Sequence, residues 1–441
     1  MAYVKETVQT TTDKPYEIYY IKKHSEIIES KDNSIDGYEI ATTEGIAVRI
    51  LSANKMGFSY TTQLDRDSIL KTVHKALEGL EVADEDDAYE FLDPSTPYPT
   101  LAIHDSTLVD LATEKKKEMV LSIETAARQY DSRIKQIRNA QLSFHQAHVW
   151  LLNSFELERF YTASGVSATI ILTAEENGMS EFGWESFSSH FLADIQPEEI
   201  GKNAAQKAIT RLGGKPVPGG TFPTILDREV VAEIVQLLSS SFTGENIYKG
   251  KSTLKGKEGQ EIFSPCLNLS DGLLFEEGMA AAPFDGEGEP AQKTTLIDHG
   301  VVAGFLYDHY YAKKMKATST ANAIRGGISL PPMCGTTNLY LDPGKVSLKE
   351  MIRDISKGFY IQELMGLHTA NTITGEFSLG ASGQWIEKGE LTYPVRGVAV
   401  SGNLFELLKN VEVVGSDVRW FGSTAAPSLL VGSLSLAGTE K

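Results

Sequence analysis

Apolar and polar residues alternate in two early stretches, YEIYYIKKHSEIIES at 16–30 and YEIATTEGIAVRILSANKMGFSYTT at 38–62. A period of two, with many β-branched and aromatic residues, predicts strands with one buried face. Asp32-Asn33 and Ser34 interrupt the first run, and Ser52-Ala53-Asn54-Lys55 predicts a hairpin turn before MGFSYTT. The period then lengthens. In DRDSILKTVHKALEGL, Ile69, Val73, Ala76 and Leu77 recur at helical spacing behind Asp65 or Asp67 as cap, and His74 is an ordinary helix histidine. EVADEDDAYEFLDPSTPYP, at 81–99, is an acidic, proline-bearing stretch expected as a solvated loop. A second helix is predicted over 107–130, then strands around IKQIRNAQLSFHQAHVWLLNS, ERFYTASGVSATIILTAEE and MSEFGWESFSSH. PEEIGKNAAQKAITRLG predicts a helix ending at Gly213-Gly214.

KPVPGGTFP packs three prolines and two glycines into nine residues and marks a domain boundary. The expected division is an N-terminal domain over 1–214, a linker over 215–224 and a C-terminal domain over 225–441. After the boundary, Asp227 caps the amphipathic helix REVVAEIVQLLSSSF, with Val230, Val231, Ile234, Val235, Leu237 and Leu238 as its buried face. Strand patterns dominate from there: IFSPCLNLSD, TTLIDHGVVAGFLYD, TTNLYL, FYIQELMG, the hairpin TITGEFSLGASGQWIEKGELTYPV, RGVAVSG and PSLLVGSLSLAG, interrupted by a helix in NLFELLKNVEVVG. The fold class expected is α+β, a mixed α/β N-terminal domain followed by an antiparallel β-dominated, barrel-like C-terminal domain.

Composition narrows the function classes. A length of 441 residues suits two domains. A net charge of −18 disfavours nucleic-acid backbones, and the longest basic run, Lys115–Lys117, lies beside Glu114 and Glu118 as a solvated helix face. Two cysteines, Cys266 and Cys334, form no metal-binding spacing and suit a reduced cytoplasmic setting. No stretch is apolar for long enough to cross a membrane, and MAYVKETVQTTTDKPYEIYY lacks the apolar core of a secretory leader.

Few constellations carry chemistry. His145 and His148 form HxxH, but on a strand they face opposite ways. Asp298-His299 and Asp308-His309 each set an acid beside an imidazole, and a cross-strand meeting of His299 with His309 would allow a self-sufficient hydrolase. Gly380-Ala381-Ser382-Gly383 is one residue short of a nucleophile elbow. The glycines of GEFSLGASGQWIEKGELTYPV mark either close barrel packing or a small-residue face that an extended peptide could join by adding a strand. On the second reading the peptide-binding residues are His368, Asn371, Gly375, Gly380, Ala381, Ser382 and Gly383.

ELMG at 363–366, TGEFSLGASGQWIEKGELTYPV at 374–395, SGNLFELLKNV at 401–411, FDGEG at 284–288 with TTLIDHGVVAGFLYDHYYAKKM, and GIAVRILSANKMGFSYTT at 45–62 occur in an order that resembles the TldD/PmbA family. That resemblance implies a subunit of a heterodimeric metallopeptidase that trims unstructured peptides, from a family long described as modulators of DNA gyrase. One branch carries HExxxH and a late cysteine as zinc site. Here the matching helix reads VAEIVQLL: Glu233 stands at the base position, Ala232 and Leu237 replace the histidines, and no cysteine follows Cys334. The resemblance is therefore to the PmbA/TldE branch. It implies no metal in this chain, zinc in a TldD-type partner and a homodimer when the chain is isolated. Without a metal to serve, Glu233 reads as an ordinary solvent-facing helix glutamate. A binding protein acting on gyrase without peptidase links is the remaining alternative.

Overall fold

The computed structural model describes residues 1–93 and 97–438. Of the acidic stretch at 81–99, Pro94, Ser95 and Thr96 lie outside the described residues. The N-terminal half is one antiparallel sheet of six strands: β1 (Tyr16–Lys31), β2 (Ser34–Ser52), β3 (Lys55–Thr61), β4 (Ile134–Asn153), β5 (Glu158–Glu176) and β6 (Met179–Ser189), in the order β3-β2-β1-β4-β5-β6. Its tight hairpins follow from turn chemistry. Asp32-Asn33, Ala53-Asn54 and Asn177-Gly178 all take the paired positive φ of two-residue turns, which small polar residues and glycine tolerate.

Two helix pairs cover one face of this sheet. The helices Ala2–Thr11 and Arg66–Val82 bury Ile18, Ile46 and Ile50. The helices Thr113–Tyr130 and Pro197–Arg211 bury Ile28, Leu142 and Ile170. On the opposite face Tyr19, Ala47, Val149 and Leu151 pack with Phe284 of the C-terminal half. Two basic or acidic stretches differ from their expected solvated state. Lys116 is 2% exposed, with Nζ 2.8 Å from Glu26 and lying over the Phe144 ring. The acidic loop straps the two halves together: Asp86 accepts from Tyr310 Oη at 2.8 Å and pairs with Lys314 at 2.7 Å, and Glu90 pairs with Lys313 at 2.9 Å.

The expected linker is partly strand. Residues 220–224 belong to Gly220–Leu226, which lies at the centre of the C-terminal barrel. In that barrel the strands Glu390–Asn403, Glu376–Glu387, Lys357–Met365, Gly220–Leu226 and Leu429–Ala437 follow one another, and Ala399–Ser401 pairs back with Ser435–Ala437 to close the ring. A second six-stranded sheet runs Val301–Val302, Lys293–Asp298, Leu269–Gly272, Leu339–Leu341, Thr424–Ala426, Arg419–Phe421. The α+β, barrel-like architecture is as expected, though two pairings are parallel: Lys357–Met365 with Gly220–Leu226, and Leu339–Leu341 with Thr424–Ala426. The helix Arg228–Ser239 fills the core that barrel and second sheet share. Among the described residues no helix is long and apolar enough to cross a membrane.

Candidate functional site

Asp227 starts the helix Arg228–Ser239 by accepting from Glu229 N at 2.9 Å, and the Tyr360 hydroxyl in turn donates to Asp227. Val230, Val231, Ala232, Ile234, Val235 and Leu238 are buried, and Leu237 packs partly buried at the core's edge. The helix lies against Arg419–Phe421 and Thr424–Ala426, the strands formed by FGSTAAPS and the residues before it. At the positions that the family resemblance aligns with HExxxH it presents the methyl of Ala232, the carboxylate of Glu233 and the isobutyl of Leu237. Only one of these can donate to a metal, and a zinc site needs at least three protein ligands.

Glu233 is half-buried rather than solvent-facing. Burial, then Glu229 one turn earlier and Glu363, push its carboxyl up to about 7, against the pull of Lys207. Around it the two halves of the molecule exchange charges. Lys207 Nζ sits 2.9 Å from Glu185 and 2.7 Å from Glu229, Arg211 Nη1 lies 2.8 Å from Glu363, and Arg419 bonds Glu185. Ser382 Oγ donates to Glu363 at 3.1 Å, so one of the seven residues chosen from the sequence joins this network. The buried oxygens Glu229 Oε1 and Gln362 Oε1 have no hydrogen-bond partner, and a polar cleft of about 340 Å³ opens beside them.

The other six do not gather into one face. Strand Glu376–Glu387 is bonded on both sides, to Lys357–Met365 and to Glu390–Asn403, so it offers no edge to an added strand. Ala381 is core, and Gly383 is fixed by close packing, since a Cβ there would lie 1.9 Å from Tyr360 O. Gly380 packs on Met365. Gly375 has φ +81 and turns the chain into the strand beside Phe405. His368 and Asn371 are exposed, and Asn371 Oδ1 accepts from Ile373 N and Thr374 N at 2.9 and 3.0 Å. Barrel packing thus accounts for the glycines inside the strand.

The acid–imidazole pairs are separated in role. His299 lies in the exposed turn between Lys293–Asp298 and Val301–Val302, with Nδ1 2.6 Å from Asp298. Asp308 instead caps the helix His309–Met315, and His309 Nε2 lies 2.8 Å from Glu289. Burial lowers the His309 imidazole, but the hydrogen bond to Glu289 and the charges of Glu287 and Asp285 raise it to about 9. His148 on β4 bonds Thr162 and faces away from His145. Among the described residues no group of three His, Cys, Asp or Glu side chains is arranged to hold a metal ion.

Sequence reasoning missed the cluster built on FDGEGEP. Asp285 is fully buried and accepts from the amides of Glu287, Glu289 and Ala323 at 2.9, 2.9 and 3.0 Å. Burial and Glu287 nevertheless push it up to about 7. Glu287 lies 3.1 Å from Arg49, whose fork grips both oxygens of Glu17 at 2.9 and 2.6 Å, while Arg325 also bonds Glu17. The available signal was the acid–glycine alternation at 285–289 in a chain of otherwise apolar strands.

The fold is that of solved proteins. A proposed modulator of DNA gyrase from Thermotoga maritima MSB8 superposes with a TM-score of 0.91 at 26% identity, covering 99% of each chain. TldE from Thermococcus kodakarensis shares the fold with a TM-score of 0.90 at 20% identity, covering 99% of this chain and all of that one. Metalloprotease PmbA of Escherichia coli O157:H7 is 25% identical over 418 residues, 93% of this chain and 89% of that protein. Residues 16–79, 107–212 and 219–438 match the profiles described as PmbA/TldA metallopeptidase domain 1, central domain and C-terminal domain. The chain belongs to the PmbA/TldD metallopeptidase family.

Proposed function

We propose that this chain is the metal-free subunit of a two-chain peptidase in the cytoplasm. It pairs with a zinc-bearing TldD-type chain and completes the chamber in which that partner trims unstructured peptides. One observation carries the reading: the helix Arg228–Ser239 sets Ala232 and Leu237 around Glu233, leaving one donor where zinc chemistry needs several. Glu233, its carboxyl pushed up to about 7, is half-buried one turn beyond Glu229, and Glu229 itself lines the polar cleft at the domain junction. The barrel has no free edge at 376–387, so peptide contacts are assigned to the exposed turn around His368 and Asn371, flanked by exposed Met365 and Ile373. Relatives named metalloproteases support the peptidase setting.

Co-expression with a TldD-type chain tests this. Expected are a stable complex, zinc stoichiometric with the partner alone, and cleavage of an unstructured peptide only by the complex. Stoichiometric zinc in this chain, or full cleavage by the partner without it, overturns the reading. Direct capture of gyrase with no partner chain present favours the gyrase-binding alternative instead.

A further inference from the structure

The strap at 84–93 and the helix His309–Met315 enclose a cavity of about 270 Å³ on the side of the junction that holds Arg49. Its polar lining is mostly acidic, with Glu90, Glu245, Glu287 and Asp308 beside the guanidinium of Arg49, and its walls are aromatic. Tyr89 and Tyr310 stand 5.2 Å apart and Tyr310 and Tyr311 4.9 Å apart, the latter edge to face, and the Tyr310 hydroxyl is anchored on Asp86. Pro331, Pro332 and Met333 close the apolar side.

Asp308 is the group the surroundings leave unanswered. It lines the cavity and is 4% exposed. Its Oδ1 accepts from Tyr311 N at 2.7 Å, and among the described residues no other residue donates to Oδ2. Each basic side chain nearby is committed elsewhere. Arg49 is held by Glu17 and Glu287, His309 by Glu289, Lys313 by Glu90, Lys314 by Asp86 and Lys249 by Glu245. The remaining oxygen of Glu287 accepts from His309 N at 3.1 Å. A buried carboxyl with no ion pair among the described residues, pushed up to about 7 by burial and Glu287 against the pull of His309, gains its charge most readily beside an incoming organic cation, and the tyrosine rings edge the cavity in which one would lie.

We infer that this cavity binds a protonated primary amine on a short alkyl chain, with Asp308 accepting from the ammonium and Tyr89, Tyr310 and Tyr311 flanking the alkyl stem. The same chemistry is offered by a free diamine and by a lysine side chain within a peptide. The site is separate from the face proposed for peptide trimming and needs no partner chain, so its failure would leave that proposal standing.

Isothermal titration of the full chain with cadaverine and with Nα-acetyl-lysine methylamide tests it, using hexanoate and pentanol as controls. Binding of either amine, with neither control binding, is the expected result. Tighter binding of cadaverine marks a free diamine as the source, and tighter binding of the lysine amide marks a peptide. Asp308→Asn keeps the helix cap, because an asparagine oxygen also accepts from Tyr311 N, so the variant should melt within a few degrees of the parent. It should weaken the amines by about ten-fold or more through loss of the charged hydrogen bond, and Tyr311→Leu by about three-fold through loss of the ring. No heat with either amine on the parent chain, equal binding of pentanol, or unchanged affinity in Asp308→Asn overturns the inference.

Discussion

Two ionic networks join the N-terminal sheet to the C-terminal half, and they are built in opposite ways. In the first, Arg49 grips Glu17 with a planar two-point fork, Glu287 takes its third nitrogen, and the side chains of these three groups are at most 8% exposed. In the second, Lys207 spans Glu185 and Glu229 as a single point charge while 23% exposed, and one oxygen of Glu229 stays unpartnered. A guanidinium fixes geometry in a way an ammonium on a flexible stem does not. Burial pushes the Glu17 carboxyl up, but Arg49 and Arg325 outweigh it and hold it below its ordinary value. Burial likewise raises Glu229, and there Lys207 does not reverse the direction. The halves are therefore fastened rigidly beside the FDGEGEP loop and adjustably beside the helix that carries Glu233.

This contrast can be broken experimentally. Arg49→Met strands Glu287 and half-strands Glu17 in a dry interior, and should cost about 3–5 kcal/mol in urea unfolding. Lys207→Met removes a partly wetted charge whose partner Glu185 keeps Arg419, and should cost about 2 kcal/mol by the same measurement. A pH response sharpens the comparison further. Folded Glu233 holds its proton up to about 7 against an ordinary 4.5, so its share of stability is present below pH 4.5 and is lost as pH rises through 7. Glu233→Gln should flatten that decline, read from thermal melts across the window. The lowered Glu17 should act in the reverse sense, its contribution vanishing as acid is added. Equal pH slopes in parent and Glu233→Gln would erase the distinction between the networks.

Local rules were legible along most of the chain. The cap Asp227, the apolar stripe of its helix, and the turns at Asp32-Asn33 and Ala53-Asn54 are set by nearest neighbours, and they stand as the pattern predicts. The helix Ala2–Thr11 escaped notice because its buried stripe is only Val4, Thr7 and Val8, with no side-chain cap. What remained hidden depends on distant partners. Lys116 reads as solvated until Glu26, 90 positions earlier on the strand beneath its helix, meets it. Glu233 reads as exposed until Glu363 and Glu229 crowd it. The glycines of 375–383 can be read as an open face or a packed one, and only the neighbouring strands Lys357–Met365 and Glu390–Asn403 decide between them. Of the site residues, Ser382 was found for its small size rather than for the hydrogen bond to Glu363 that it makes.

Closure of the barrel depends on Leu429–Ala437, which touches Gly220–Leu226, Val411–Val414 and Glu390–Asn403. During synthesis the N-terminal sheet has all its strands once residue 189 has emerged, whereas the barrel waits for a keystone made after every other stave. Until then the seam between residues 220–226 and 399–401 gapes, with apolar staves bared to solvent. Nascent chains stalled just short of that segment should be the ones that chaperones hold longest.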